Sequence, residues 1–301
     1  MKYLILDITN ILYRTFYAHT NEDDVTITGL ATHSALTTIN KYFKQHKPDK
    51  IVMCFDRSSW RKVYTESDLC VSRRLYKGNR RQNMSPSQQL KYQKFIDHLN
   101  EFEKLIIEHS TIITLAGDYL EADDLIAGFI QTHPNDEIVL ISSDTDFIQL
   151  LKHKNVKIIS PKDNKEYDLQ EYDNDPNFYL FCKCMRGDPT DNIQSAYPNV
   201  SYKRLKKAYT DPFERVKLMK EMWSDHEKRE FVVEKLYEEN QLLIDLEKQP
   251  SEVRELIKKT IQEQENKTKK YSHFHFMKFL GKYQLEAIAK NIDQYISMLG
   301  K

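Results

Sequence analysis

The 301-residue chain has only four cysteines, seven glycines and nine prolines, and its formal net charge is zero. Cys54, Cys70, Cys182 and Cys184 are too few and too irregular for a disulfide framework. Cys182 and Cys184 have no second pair at zinc spacing, so buried free thiols are expected. So little glycine and proline excludes a collagen-like, low-complexity or linker-rich chain. The apolar run after Lys2 is too short for a signal peptide, and no stretch nears the roughly 18 apolar residues of a membrane span. A soluble, intracellular, cytoplasmic protein with no membrane partner is expected. Zero net charge argues against nucleic acid, whose binders are usually basic. That argument holds only if the 45 bases and 45 acids are evenly mixed.

Short β-branched runs at Tyr3 to Ile8, Lys50 to Phe55, Glu137 to Ile141 and Val156 to Ile159 read as strands. Helical spacing occupies Ala31 to His46, Ser87 to Ile107 and Glu121 to Gln131 between them. This alternation predicts an α/β fold with a mostly parallel central sheet flanked by helices. Beyond about Pro176 the pattern is helical: Asn177 to Met185, Tyr202 to Tyr209, Phe213 to Met222, His226 to Leu246, Ser251 to Glu265 and Gln284 to Met298. The expected division is an α/β core over 1–175 and a helical region over 176–301.

The acids are not evenly mixed. Asp7 and Asp56 each end a strand, and Asp144 follows one, so all three belong at the edge where parallel sheets place their sites. Asp146 follows Asp144 by two residues. Glu121, Asp123 and Asp124 open a helix, with Glu121 and Asp124 on one face and Asp123 about 100° off it. Asp188 and Asp191 form another pair after Gly187. Taken singly, the 121–124 cluster is a favourable acidic first turn and 188–192 an N-cap and turn. Together they amount to nine carboxylates, which repel one another unless cations intervene. Oxygen-only donors select Mg²⁺ or Mn²⁺, and two such ions about 4 Å apart support phosphodiester hydrolysis without a side-chain nucleophile.

The bases segregate too. Between Arg57 and Arg81 eight bases face only Glu66 and Asp68, a local net of +6, with Trp60, Tyr64 and Tyr76 interleaved. Placed directly after Asp56, this segment reads as a mobile basic arch, about residues 57–86, that holds phosphates near the metals. Lys203, Arg204, Lys206 and Lys207 form a second basic run. In a third, Lys258 to Lys270, a solvated helix face is at least as good a reading.

Six stretches in order carry a resemblance to the 5′-nuclease superfamily of flap endonucleases, polymerase 5′-nuclease domains and phage 5′-exonucleases. They are Asp7-Ile8-Thr9-Asn10 with Tyr13-Arg14, Phe55-Asp56, Tyr76-Lys77-Gly78-Asn79-Arg80, Glu121-Ala122-Asp123-Asp124, Ser143-Asp144-Thr145-Asp146 and Gly187-Asp188-Pro189-Thr190-Asp191-Asn192. The resemblance covers roughly residues 1–210 and implies a PIN-like core with a helical arch. It implies two Mg²⁺ ions, replaceable by Mn²⁺: Asp7, Asp56, Glu121 and Asp123 at the first, Asp144, Asp146, Asp188 and Asp191 at the second, with Asp124 between. It implies that Lys77 and Arg80 contact the scissile phosphate beside Asp7, Asp56 and Asp146, and that Tyr76 packs against a displaced base. Arg14, Arg73, Arg74, Arg81 and the run from Lys203 to Lys207 would join these in holding nucleic acid.

The implied activity is metal-dependent 5′-3′ exonuclease and 5′ flap endonuclease action on DNA flaps and on RNA primers of RNA–DNA hybrids during replication. A helix-hairpin-helix at about 188–210 usually carries glycines that hold a duplex phosphate with potassium. Residues 193–203 have none, which puts that ion in question and is similar to the phage replication ribonuclease H branch. A monomer is expected, in the host cytoplasm if phage-encoded. A single-strand DNA-binding protein or a sliding clamp is the expected protein partner, although the last residues show no clamp peptide. Two alternatives are a PIN-type single-stranded RNA endoribonuclease, which would lack the arch motif, and a catalytically silent branched-DNA binder, which would have lost acids.

Overall fold

The computed structural model describes residues 1–19, 23–80 and 84–300, without the side chain of Asp24. Chain order runs β1 (Lys2–Asp7), α1 (Ile8–Ala18), α2 (Asp24–His46), β2 (Lys50–Cys54), α3 (Trp60–Glu66), α4 (Pro86–His109), β3 (Ile113–Leu115), α5 (Ala122–Thr132) and β4 (Glu137–Ile141). A 3₁₀ segment (Thr145–Lys152) precedes β5 (Val156–Ser160) and β6 (Lys165–Glu166). Then come α6 (Pro176–Arg186), α7 (Tyr202–Thr210), α8 (Pro212–Met219), β7 (Met222–Ser224), β8 (Glu230–Val232), α9 (Val233–Ile244), α10 (Ser251–Glu265), α11 (His273–Lys282), α12 (Glu286–Ala289) and α13 (Asp293–Leu299).

The main sheet has the order β3-β2-β1-β4-β5-β6, parallel except for β6. β1 pairs with β2 on one side and β4 on the other, so the strand order reverses beside β1. Such a reversal opens a crevice at the carboxyl ends of the strands. Both faces are buried, so the strands read as continuous apolar runs. Leu4, Leu6, Met53, Val139 and Ile141 face α1, α2 and α4, while Ile5, Val52, Cys54, Ile138 and Leu140 face α5. The C-terminal region returns to both faces: Phe276, Phe279, Leu280 and Leu299 join the first core, Ile257 and Ile261 the second. A third core unites α6 to α9 with Tyr76.

Two local expectations fail. The helical reading of His226 to Leu246 gives way at its start to a hairpin in which Trp223 pairs with Phe231. Lys228 takes a left-handed φ of 62° there, which breaks a helix, and Trp223 Nε1 donates to Ala196 O at 2.8 Å. The single helix expected from Gln284 to Met298 is broken into α12 and α13. None of the described helices is long and apolar enough to cross a membrane.

Candidate metal and nucleic-acid site

Each acid is positioned by a local backbone rule. Asp7 ends β1 and caps α1, accepting from Asn10 N at 3.1 Å through Oδ1 and from Ser142 Oγ at 3.2 Å through Oδ2. Asp56 follows β2 and accepts from Ala122 N at 2.8 Å, which ties it to the start of α5. Asp144 caps the 3₁₀ segment after β4 by accepting from Asp146 N at 2.8 Å. Asp188 caps a short turn through Thr190 N at 2.8 Å. Gly187 makes that turn possible: its φ is +69°, and a Cβ there would lie 2.5 Å from Ile193 O.

Eight of the nine expected acids line one cleft of about 1420 Å³ at the strand ends: Asp7, Asp56, Glu121, Asp123, Asp144, Asp146, Asp188 and Asp191. Asp124, expected among the metal ligands, is placed elsewhere. It is 0% exposed behind the cleft, and Arg61 Nη1 and Nη2 reach its two oxygens at 2.9 Å each. Asp124 is the third residue of α5 and closes a capping box on Glu121 N at 3.2 Å, which keeps its carboxylate beside Arg61, while Asp123 lines the cleft.

Burial, with neighbouring carboxylates adding to it, raises the proton affinity of Asp7, Asp56, Asp123 and Asp146. Burial, then the charges of Asp56 and Asp144, push the Asp7 carboxyl up to about 8. Asp146 is pushed up to about 6, chiefly by burial, with Lys183 acting against the shift. At Glu121 burial opposes ionisation, but Lys77 and Arg61 outweigh it and hold the carboxyl down at about 2.

Among the described residues, no three His, Cys, Asp or Glu side chains stand close enough together to hold an ion as they are. Cationic side chains sit among the carboxylates instead. Lys183 Nζ, from the last turn of α6, bonds Asp146 and stands 3.4 Å from Asp188. Lys77 Nζ bonds Glu121 and lies 3.9 Å from Asp191, which Arg80 also holds. An all-oxygen donor set that gathers ammonium groups has the chemistry of a hard divalent-cation site.

The basic segment departs from a free arch. Asn79 Nδ2 donates to Pro189 O at 2.9 Å, Asn192 Nδ2 to Leu75 O at 2.9 Å, and Lys77 N to Asp191 O at 2.8 Å. The Tyr76–Arg80 motif is thereby docked on the Asp188–Asn192 motif. Tyr76 is buried, its hydroxyl donating to Asp191 at 2.9 Å, so in this conformation its ring is not offered to a base. Arg61 is buried and Arg57 pairs with Glu103, so part of the local +6 is spent inside the protein. Arg14 and Arg80 line the cleft, whereas Arg73 and Arg74 do not, and Arg81 lies outside the described residues.

On α7, Lys203, Lys206 and Lys207 are exposed and Arg204 half-buried. Lys206 and Lys207 make exposed pairs with Asp173 and Glu214, of the kind that contributes about 0–1 kcal/mol and exchanges easily. Sequence reasoning missed Lys183, which no motif marks, and a tyrosine wall. Tyr13 stacks between Tyr17 and Tyr92 at 5.9 and 6.0 Å, and all three rings line the cleft.

Residues 2–176 match the family model for the 5′-3′ exonuclease, N-terminal resolvase-like domain. The chain is 31% identical over 210 residues to DNA polymerase I of Caldicellulosiruptor bescii, covering 64% of this chain and 22% of that protein. It is 24% identical over 263 residues to ribonuclease H of Enterobacteria phage T4, covering 83% and 82% of the two chains. Its fold resembles that of a bacteriophage T5 flap endonuclease solved with DNA and metal ions, with TM-score 0.63 and 19% identity over 87% of this chain and 97% of that one. The chain thus spans about a fifth of the polymerase but most of the phage ribonuclease.

Proposed function

Because the chain belongs to the 5′-3′ exonuclease family, we propose that it is a divalent-metal-dependent nuclease that trims 5′ ends and cleaves 5′ flaps. DNA flaps and the RNA of RNA–DNA hybrids are the proposed substrates, and two Mg²⁺ ions, with Mn²⁺ as substitute, the proposed cofactors. The observation that carries this reading is the one cleft that joins eight carboxylates from strand ends, turns and helix starts to Lys77, Arg80 and Arg14. A bound pair of such ions would activate a water and stabilise the leaving oxygen.

The chain's own residues would divide the remaining work. Asp7, Asp56, Glu121 and Asp123 would serve one ion, and Asp144, Asp146, Asp188 and Asp191 the other. Lys77 and Arg80 lie within reach of Glu121 and Asp191, so a phosphate arriving with metal would draw them off those carboxylates. Arg14 has a buried Nη1 with no hydrogen-bond partner, a donor suited to a phosphate oxygen. Tyr17, the exposed end of the tyrosine wall, would offer a face for stacking a base, and α7 would offer its lysines to a duplex backbone.

The test is a cleavage panel of 5′-labelled flap, nicked duplex and RNA–DNA hybrid in Mg²⁺, with Asp188→Asn as control. The wild-type chain should release short 5′ products and the variant should lose at least about 100-fold in rate. Cleavage of single-stranded RNA in preference to every branched or hybrid substrate would overturn the proposal.

A further inference from the structure

The least expected residue in the molecule is Arg61. It comes from the segment whose charge pointed to phosphates, yet it is 2% exposed and lies between the rings of Trp60 and Tyr76, at 4.7 and 5.9 Å. Its donors are directed at two separate parts of the chain, the end of α9 and the start of α5. Nε donates to Leu243 O at the end of α9 at 2.8 Å. Nη1 and Nη2 donate to Asp124, and Nη1 also to Glu121 Oε2 at 3.0 Å.

The two carboxylates it touches have different fates. Asp124 is saturated: beyond Arg61 it accepts from Glu121 N at 3.2 Å and Gln249 Nε2 at 3.3 Å. No free direction remains on it for an ion. Glu121 is engaged differently at its two oxygens. Oε2 is held by Arg61 and by Ser59 Oγ at 2.6 Å, while Oε1 accepts from Lys77 on the cleft side, with the Tyr76 hydroxyl 3.5 Å away. A carboxylate fixed through one oxygen presents the other in a single direction.

We propose that Arg61 is a positioning residue of the metal site, aiming Glu121 Oε1 into the cleft with Asp124 as its buried counter-ion. Because Leu243 O and Gln249 complete the arrangement, docking of the chain after α9 is part of assembling the cleft. The inference rests on the metal-nuclease reading above and adds a division of labour within it: Asp123 faces the ions, and Asp124 serves Arg61. Partners behind a ligand commonly set its affinity, and their loss costs about 10–100-fold in metal binding.

The test uses Mn²⁺ binding to the full chain without nucleic acid, followed by electron paramagnetic resonance, beside thermal melting and cleavage of a 5′ flap. Arg61→Gln alone leaves Asp124 buried and unpaired and is not expected to fold well. Arg61→Gln with Asp124→Asn removes both charges together. The double variant should melt near the wild type, bind Mn²⁺ about tenfold more weakly and recover part of its flap cleavage in excess metal. Arg61→Lys, which keeps the charge but not the planar fork, should fold and show the same weakened binding. If either folded variant binds Mn²⁺ and cleaves as the wild type does, Arg61 only neutralises Asp124 and the inference fails. If the wild type neither binds Mn²⁺ nor cleaves, the nuclease reading itself has failed.

Discussion

The ammonium group of Lys183 stands 3.4 Å from the carboxylate of Asp188, five residues further along the chain, and also bonds Asp146. One cation thus bridges two acids that come from different elements and would otherwise repel. On the proposed function a divalent ion held by Asp146 and Asp188 would compete with it. Lys183→Ala should bind Mn²⁺ several-fold more tightly in the absence of nucleic acid. Isothermal titration measures this directly, and weaker binding would show that the lysine supports the ion rather than excluding it.

The raised Asp7 carboxyl, at about 8, makes a prediction about pH. Its ordinary value in the unfolded chain is near 3.8. A carboxyl whose folded value is the higher one favours folding while protonated, and that contribution disappears as pH rises from the unfolded value through the folded one. The melting temperature of the metal-free protein should therefore fall between about pH 4 and pH 8, by this linkage. Added Mg²⁺ should flatten the decline, and Asp7→Asn should reduce the slope while abolishing cleavage. A metal-free melting temperature that rises through this window would contradict the placement of Asp7.

Lys77 bonds Glu121 and lines the cleft proposed to receive a phosphate. Lys77→Ala should lower the single-turnover rate by about 10²–10³, with flap affinity in Ca²⁺ changed only a few-fold, because developing charge is what the ammonium would stabilise. Fluorescence anisotropy and rapid quench separate the two quantities. Equal losses in both would reduce Lys77 to a binding residue.

Gly187→Ala places a methyl group against Ile193 O in a backbone region that side chains avoid. The cost should be about 1–3 kcal/mol of stability, with Asp188 displaced and metal binding weakened in step. Urea unfolding and Mn²⁺ binding of the same preparation test the two effects together.

Exposed Lys203 and Lys206 belong to the surface proposed to track a duplex. Replacing either by alanine should reduce the slope of log affinity against log salt by about one, with little change in single-turnover rate. An unchanged slope would move the duplex to another face.

Much of this was legible because it depends on neighbours in sequence. The four β-branched runs became β1, β2, β4 and β5, and the acids at the ends of the first three followed from strand direction alone. Ser251–Glu265 is helical over the range its periodicity indicated. Short elements were missed where three residues carry no period, as in β3, and where a left-handed residue interrupts a helical pattern, as at Lys228. α1 was hidden because Asp7 is both the last residue of a strand and the cap of the helix after it.

The sequence by itself determined the residue types at the site, their order and the segregation of acids from bases behind a net charge of zero. Periodicity and strand ends are local properties, and local properties are written in neighbouring residues. Tertiary structure alone decided which charges face the cleft and which serve the interior. Arg61 and Lys77 read alike as members of one basic segment, but one is buried against Leu243 and Asp124 and the other borders the carboxylates. Lys183 had no motif to mark it, and packing of α6 against the 3₁₀ segment carries it to Asp146. Burial and long-range hydrogen bonds assign those roles, because a charge's energy depends on what surrounds it in space.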